Sequence, residues 1–454
     1  MRSILAISRR PKMLVCLAGL ACAAMCARAG AQIKVDCTGK TSGAYTTISA
    51  ALKGAPVAGA TIVITGPCTE KVSISGLYNL SLGAAPGKTV KLTGSLSVSN
   101  AANLYLYGLK VTNSSGAGIS ITSANGVTLD DCTSNDNGTD GLFVSQTSDV
   151  TALGTSTFSG NKRYGMNLNG HAHVSLAVWS GGSTTISNNT DAGVWITEGS
   201  LLDGTGPLSI ESNGIDGTST APAVHGYGVE MYGASIVQFG DCAGSTTILD
   251  NVSGGFSVEE NSELSLWNCD TGHKHLIESN GPVGITLGLG SEATISYEVQ
   301  ISGHKGPAVA VTSHSVLYAA GPDVFSHNGA SDISKGAGIA VSGNSHAFLQ
   351  GGQIASTPGP AVLAQLGSTV NLSQMTFTAN VGGVIQCDGS SYMSTDVTHA
   401  NAQCQTPSTA PAPAMQTAPH SPPDTTAIRN RQAQYRRLAS DLADVDHNQP
   451  RGQP

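Results

Sequence analysis

Two glutamates, Glu230 and Glu259, follow the glycines Gly228 and Gly255 in a pattern that recurs along the chain. If successive repeats stack as neighbouring strands, the two stand one strand and two residues apart, about 8 Å between Cα atoms. A carboxyl pair at that separation can flank a water in an inverting glycosidase, one member acting as acid and the other as base. Phe143, Asn167, Asn169, Trp195 and Tyr232 occupy matching offsets in adjacent repeats. Aromatic faces that stack on pyranose rings, with amides and carboxylates for the hydroxyls, make the lining of a sugar-binding groove. Exposed Glu and Tyr are also ordinary on any solvated face, so this lining competes with a bland surface.

Two further groups could hold metal. Asp130, Asp131, Asp136 and Asp140 are either a calcium site or a series of Asx turns. His171-Ala-His173 and His273-Lys-His275 place imidazoles two residues apart, on one face of a strand, as copper or zinc ligands or as plain surface histidines. No Met or Cys clusters beside them and no CxxC pair occurs, so no metal ligand is assigned.

The elements that position these residues follow from an internal repeat. A small residue and an alternating apolar stretch recur as Gly118-Ile-Ser-Ile, Gly141-Leu-Phe-Val, Gly165-Met-Asn-Leu, Gly193-Val-Trp-Ile, Gly228-Val-Glu-Met and Gly255-Phe-Ser-Val. The series continues from Gly284, Ala308, Gly338, Ala361 and Gly383, at spacings of 22 to 35 residues. One coil of a parallel β-helix has about that length, and period-two alternation sends the first and third residues inward and the second and fourth outward. Four residues before the anchors stand Asn137, Asn161, Asn189, Asn251 and Asn280, with His304 and Thr357 in the same slot. Asn tolerates left-handed turns and can hydrogen-bond its own copy in the next coil, which predicts a structural ladder. Long spacings place insertions between Gly214 and His225 and between Gly329 and Gly336. The prediction is an all-β right-handed parallel β-helix of about eleven coils.

Composition agrees with a solenoid. The 454 residues include 56 Gly and only 11% charged residues, too few Leu, Glu and Lys for a helical protein. Residues 32–404 carry 26 acidic residues against 12 basic ones, with Arg163 the only arginine, a balance that repels nucleic acid and anionic membranes. Enzymes that handle polyuronates need several cations, which this stretch does not offer.

The chain opens with a basic region at Arg2, Arg9, Arg10 and Lys12, an apolar run from Leu14 to Met25, and small residues at Ala29-Gly30-Ala31. Residues 1–31 therefore read as a signal peptide, and the protein is expected to be secreted, periplasmic or on the cell surface, with no membrane span. After Cys404 the composition turns to Pro, Ala, Thr and Gln, so residues 405–454 are expected to form a disordered tail.

An oxidising compartment permits disulfides. Cys242 and Cys269 each follow their anchor by fourteen residues, so they share a column about 4.8 Å apart and are expected to pair. Cys37 with Cys68, and Cys387 with Cys404, are expected to tie the two ends, leaving Cys132 over.

Ile48, Ala51 and Leu52 have helical spacing, and a strand is expected at 61–65, so a short amphipathic helix should cap the first coil. Tyr45-Thr-Thr-Ile-Ser-Ala-Ala-Leu, Ile62-Val-Ile and Cys68-Thr-Glu-Lys-Val-Ser-Ile resemble the N-terminal entry of the pectate-lyase and pectin-methylesterase type of β-helix protein. The Asn-rich coils resemble the generic parallel β-helix repeat family. The resemblance spans about 370 residues and implies the fold, not an activity. Thr139-Asp140-Gly141 and Asp130-Asp131-Cys132 are similar to polygalacturonase motifs but stand in reverse order. The partner Gly-His-Gly is only distantly echoed by His225-Gly226-Tyr227-Gly228. A pectate lyase would need calcium and a basic residue, for which Lys162 and Arg163 are the sole local candidates. No catalytic residue carries over. The residues point to recognition of polysaccharide or a cell-envelope glycan on the outer face, with cleavage resting on Glu230 and Glu259 as a hydrolase or lyase. The alternative is a noncatalytic, adhesin-like surface scaffold.

Overall fold

The computed structural model describes residues 32–56, 58–176, 182–214, 225–240, 243–267, 272–296, 298–329 and 336–396. The proposed signal peptide, the tail, most of both insertions, and Cys242, Cys269 and Cys404 lie outside these residues.

The chain winds into three parallel sheets of 15, 13 and 13 strands, each strand bonded to the equivalent strand of the coils before and after it. Short strands alternating buried and half-exposed side chains produce this arrangement, because each coil encloses only a narrow core that its neighbours complete. In the sheet that carries the anchor strands, Leu142, Met166, Val194, Val229, Phe256, Ile285, Val309, Ile339 and Val362 are all fully buried in register.

The sheet holds two strands ahead of the first glycine anchor, Val72–Ser75 and Leu96–Ser99, which extends eleven coils to about thirteen. Lys71 and Ser95 stand there instead of Gly, so the anchor pattern could not mark them. The last anchor also shifts by one residue. Ile385 pairs with Val362 and is buried while Gln386 is exposed, so Val384 rather than Gly383 begins that coil.

The asparagine ladder is continuous and fully buried from Asn137 to Asn280. Each Nδ2 donates to the next Oδ1: Asn137 to Asn161 at 3.0 Å, Asn161 to Asn189 at 3.0 Å, Asn189 to Asn213 at 2.9 Å, Asn213 to Asn251 at 2.9 Å and Asn251 to Asn280 at 2.8 Å. Asn213, Asn328 and Asn380 belong to this column although the fixed offset missed them. Both insertions fall between the ladder residue and the anchor, and the last anchor is displaced by one. A second column, absent from the sequence reading, is made of buried serines that follow the anchor strands. The Oγ atoms of Ser148, Ser200, Ser262, Ser291, Ser345 and Ser368 accept backbone N–H groups from the preceding coil at 3.2–3.3 Å.

The capping helix spans Ile48–Gly54 and buries Ile48, Ala51 and Leu52. Thr47 caps it, its side chain accepting from the N–H of Ala50, and Glu70 accepts the N–H groups of Ile48 and Ser49 at 2.7 and 3.1 Å. Four orphan donors at a helix start make such a carboxylate favourable. Cys37 and Cys68 are joined in a disulfide beside this cap. Cys387 is disulfide-bonded as well. Cys132 is a free, buried thiol whose pKa burial pushes up to about 12, so it is an inert core residue. The strands Ile236–Gly240 and Glu263–Trp267, which precede Cys242 and Cys269, pair with Gly240 opposite Trp267.

Candidate functional site

The second outward column of the anchor sheet reads Phe143, Asn167, Trp195, Glu230, Ser257 and Thr286, each paired with the next across adjacent strands. Tyr232 and Glu259 extend the neighbouring column, the Glu259 N–H donating to Met231 O at 3.0 Å and that of Tyr232 to Ile196 O at 3.0 Å. Parallel pairing without register slip therefore brings Asn167, Trp195, Glu230, Tyr232 and Glu259 onto one patch. Phe143 stands one strand before Asn167 and Asn169 lies half-buried at its edge. Neither makes a ring contact with the aromatic cluster.

Glu230 sits at the centre. Its side chain is 1% exposed, and Oε1 accepts the Tyr232 hydroxyl at 2.7 Å and lies 3.0 Å from Nδ1 of His225. Oε2 is buried without a partner. Burial pushes its pKa above the usual carboxylate range, opposed by the bonds from His225 and Tyr232 and reinforced by the charge of Glu259. Nδ1 of His225 faces the carboxyl oxygen, while the imidazole as a whole is 40% exposed. A buried carboxyl orienting a more exposed imidazole is the arrangement that prepares histidine for proton transfer.

Around this pair runs a wall of rings. Tyr164, one coil before, stacks on Trp195 with centroids 5.2 Å apart and planes 13° apart, and Tyr232, one coil after, lies 5.1 Å away. His225 meets the indole edge-on at 5.2 Å. Trp195 is thus flanked by the rings of Tyr164 and Tyr232 from the coils on either side. Tyr227, raised in pKa by burial, hydrogen-bonds toward Thr286 and Ser257 and carries the patch to the next coils.

At the other end Arg163 donates from Nε to Asp140 Oδ1 at 2.8 Å and from Nη2 to Oδ2 at 2.6 Å, and its guanidinium lies 4.9 Å from the Tyr164 ring centre. Asp140 Oδ2 also accepts Nδ2 of Asn167 at 3.3 Å, which fixes the amide and leaves Asn167 Oδ1 buried with no partner. Arg163, Tyr164 and His225 were not selected as site residues from the sequence. The first two precede the anchor, and His225 follows an insertion, so none falls at a repeating offset.

The remaining candidates do not converge. Asp140 is taken by Arg163, Asp130 accepts the Tyr105 hydroxyl, Asp131 Oδ1 accepts the N–H of Thr155 at 2.7 Å, and Asp131 and Asp136 occupy left-handed turn positions. Those contacts bind Asp130, Asp131 and Asp140 each to a different partner on a neighbouring coil. His173 does not pair with His171. Its Nδ1 lies 2.7 Å from Asp149 and its Nε2 2.9 Å from Asp203, so no ring nitrogen remains for a metal. Burial opposes the charge on His173, but the two carboxylates outweigh it and raise its pKa to about 9. His275 is 1% exposed, inside the coil, with Nε2 2.9 Å from Trp267 O, so it cannot join His273 on an outer face. Among the described residues, the one cluster tight enough for a metal is Cys37, Cys68 and Glu70, where the thiols are already oxidised and the carboxylate caps the helix. Among the described residues no helix is long and apolar enough to cross a membrane.

Residues 92–271 match the family model described as "Right handed beta helix region". No curated protein matches. Similar solved structures include a pectate lyase, Pel9A (16% identity, TM-score 0.41, covering 56% of this chain and 75% of that one). Another is the tailspike receptor-binding protein of bacteriophage Det7 (11%, 0.42, 79% and 78%). A third is the A-module of an Azotobacter vinelandii mannuronan C-5 epimerase (12%, 0.31, 73% and 80%). With three parallel sheets, stacked asparagines and a helix-capped first coil, the chain folds as a right-handed parallel β-helix.

Proposed function

We propose that this protein binds a carbohydrate polymer along the outer face of the coils that carry Asn167, Trp195, Glu230 and Glu259. The observation that carries the reading is Glu230: a buried carboxyl bonded by Tyr232 and His225, with its second oxygen unpartnered, beneath a wall of aromatic rings. The asparagines of the ladder satisfy one another, whereas on this patch a carboxylate, an imidazole, two tyrosines and an indole converge on one another beside the surface, the composition of a ligand-binding site. A hydroxyl-rich polymer supplies donors for those groups and C–H surface for the ring edges.

Processing of the bound chain runs through His225. Glu230, at 1% exposure, acts by orienting that imidazole, and the half-exposed Glu259 is the second carboxylate within reach of the same patch. A setting outside the cytoplasm belongs to the same proposal, supported by the basic and apolar N-terminus and by the Cys37–Cys68 disulfide.

A glycan array with the wild type and the Trp195→Ala and Tyr232→Ala variants tests the reading. Binding of at least one polymer, lost in both variants, supports it; a wild type that binds none favours the noncatalytic scaffold. New reducing ends would identify a hydrolase and ultraviolet-absorbing unsaturated products a lyase, and His225→Ala is expected to abolish whichever appears.

A further inference from the structure

Resting on that reading, we infer that the polymer is uncharged, a neutral hydroxyl-rich glycan, and that this face discriminates against polyuronates. The patch and its border carry four carboxylates: Asp140, Asp191 and Glu230 act on Tyr164, Glu230 and Glu259 act on Tyr232, and Asp140 and Asp191 act on Arg163. A polymer with a carboxylate on each sugar would need cations against this background. The one arginine between residues 32 and 404 is not free to serve. Arg163 is held in a two-pronged bond by Asp140 and lies against Tyr164. The Asp140 side chain is 2% exposed, so withdrawing the guanidinium toward a ligand would strand a buried charge.

What the site lacks is a donor rather than a cation. Asn167 is 5% exposed and Glu230 1%, and the unpartnered atom of each, Oδ1 and Oε2, is an oxygen. Asp140 fixes the Asn167 amide with its nitrogen inward, so the orphan there is an acceptor by construction. Both oxygens are enclosed by the protein, so the patch is rich in acceptors down to its base; sugar hydroxyls bring O–H donors to such a surface, and a uronate carboxylate brings only more acceptors. Arg163 therefore acts on specificity through Asp140 and Asn167, as a positioning residue.

Calorimetric titration of the full chain with a mixed-linkage glucan, a galactomannan and a xylan, beside polygalacturonate and alginate, tests this inference. The expected result is binding of at least one neutral polymer at least tenfold tighter than either polyuronate, with little change between 20 and 200 mM salt. Asp140→Asn, which frees Arg163, is expected to narrow that margin by tightening polygalacturonate in a salt-dependent way. Equal or tighter binding of a polyuronate by the wild type overturns the inference while leaving carbohydrate recognition intact. Binding of no polymer overturns the proposed function itself. The wild-type comparison decides the matter even if Asp140→Asn does not fold.

Discussion

The anchor sheet presents the same outward column twice, and its two halves differ in content. From Asn167 to Glu230 it holds an amide, an indole and a buried carboxyl; from Thr286 onward it fades to Ala310, Ala340 and Leu363, on strands paired in the same unbroken register. The interior differs in parallel, since the front half has an unbroken asparagine ladder and the back half fills the column with His304, Asn328, Thr357 and Asn380. Coil geometry is therefore indifferent to what stands outside. The large polar outward residues stand on the coils whose interior carries the unbroken asparagine ladder.

The largest expected effect separates the two interiors. Asn213→Ala removes the Nδ2 bonds to Asn251 Oδ1 and Ile186 O, strands the backbone N–H of Asn189 and leaves Asn189 Nδ2 with only its bond to Phe158 O. Loss of several buried bonds should destabilise the protein by roughly 4 kcal/mol, read as a fall in denaturant midpoint. Thr357→Ala, which loses bonds to Asn380 Oδ1 and Gly359 O, should lose about 1 kcal/mol. Equal losses would show that the halves are not distinguished by their ladders.

Next in size is the outer face. Trp195→Ala should weaken glycan binding about thirtyfold, about 2 kcal/mol, while Ala340→Ser on the back half should leave it within twofold. A third difference is electrostatic. His173, on the front of the 15-stranded sheet, has its pKa raised to about 9 by Asp149 and Asp203. Protonated more readily folded than unfolded, it contributes stability fully present below about pH 6.5 and lost as pH rises through 9. After screening at the partly exposed aspartates the contribution should be about 2 kcal/mol, and His173→Gln should flatten the stability profile in that window. The smallest effect is expected from Thr286→Ala, within about 0.5 kcal/mol in stability, because that side chain is half-exposed where the column fades.

The coil architecture was legible because strand alternation and the spacing of Gly and Asn are local consequences of one turn repeated many times. Legibility ended where a coil departs from its period: at Lys71 and Ser95, which replace the anchor glycine, and at Asn213 and Asn328, which insertions separate from theirs. The outward columns correctly brought Trp195, Glu230, Tyr232 and Glu259 together. They could not show that Tyr164 and Tyr232 flank the indole, or that His225 reaches forward five residues to Glu230. Those contacts depend on side-chain rotamers and on a residue behind an insertion, neither of which has a period to read.

Hydrogen–deuterium exchange of the full chain, with and without the polymer it binds best, tests the central claim most directly. Protection confined to the segments around 163–167, 194–197, 225–232 and 257–259, with none on the coils from 308 to 363, is the predicted result. Protection centred on those later coils, or on the 15-stranded sheet, would contradict the assignment of the site.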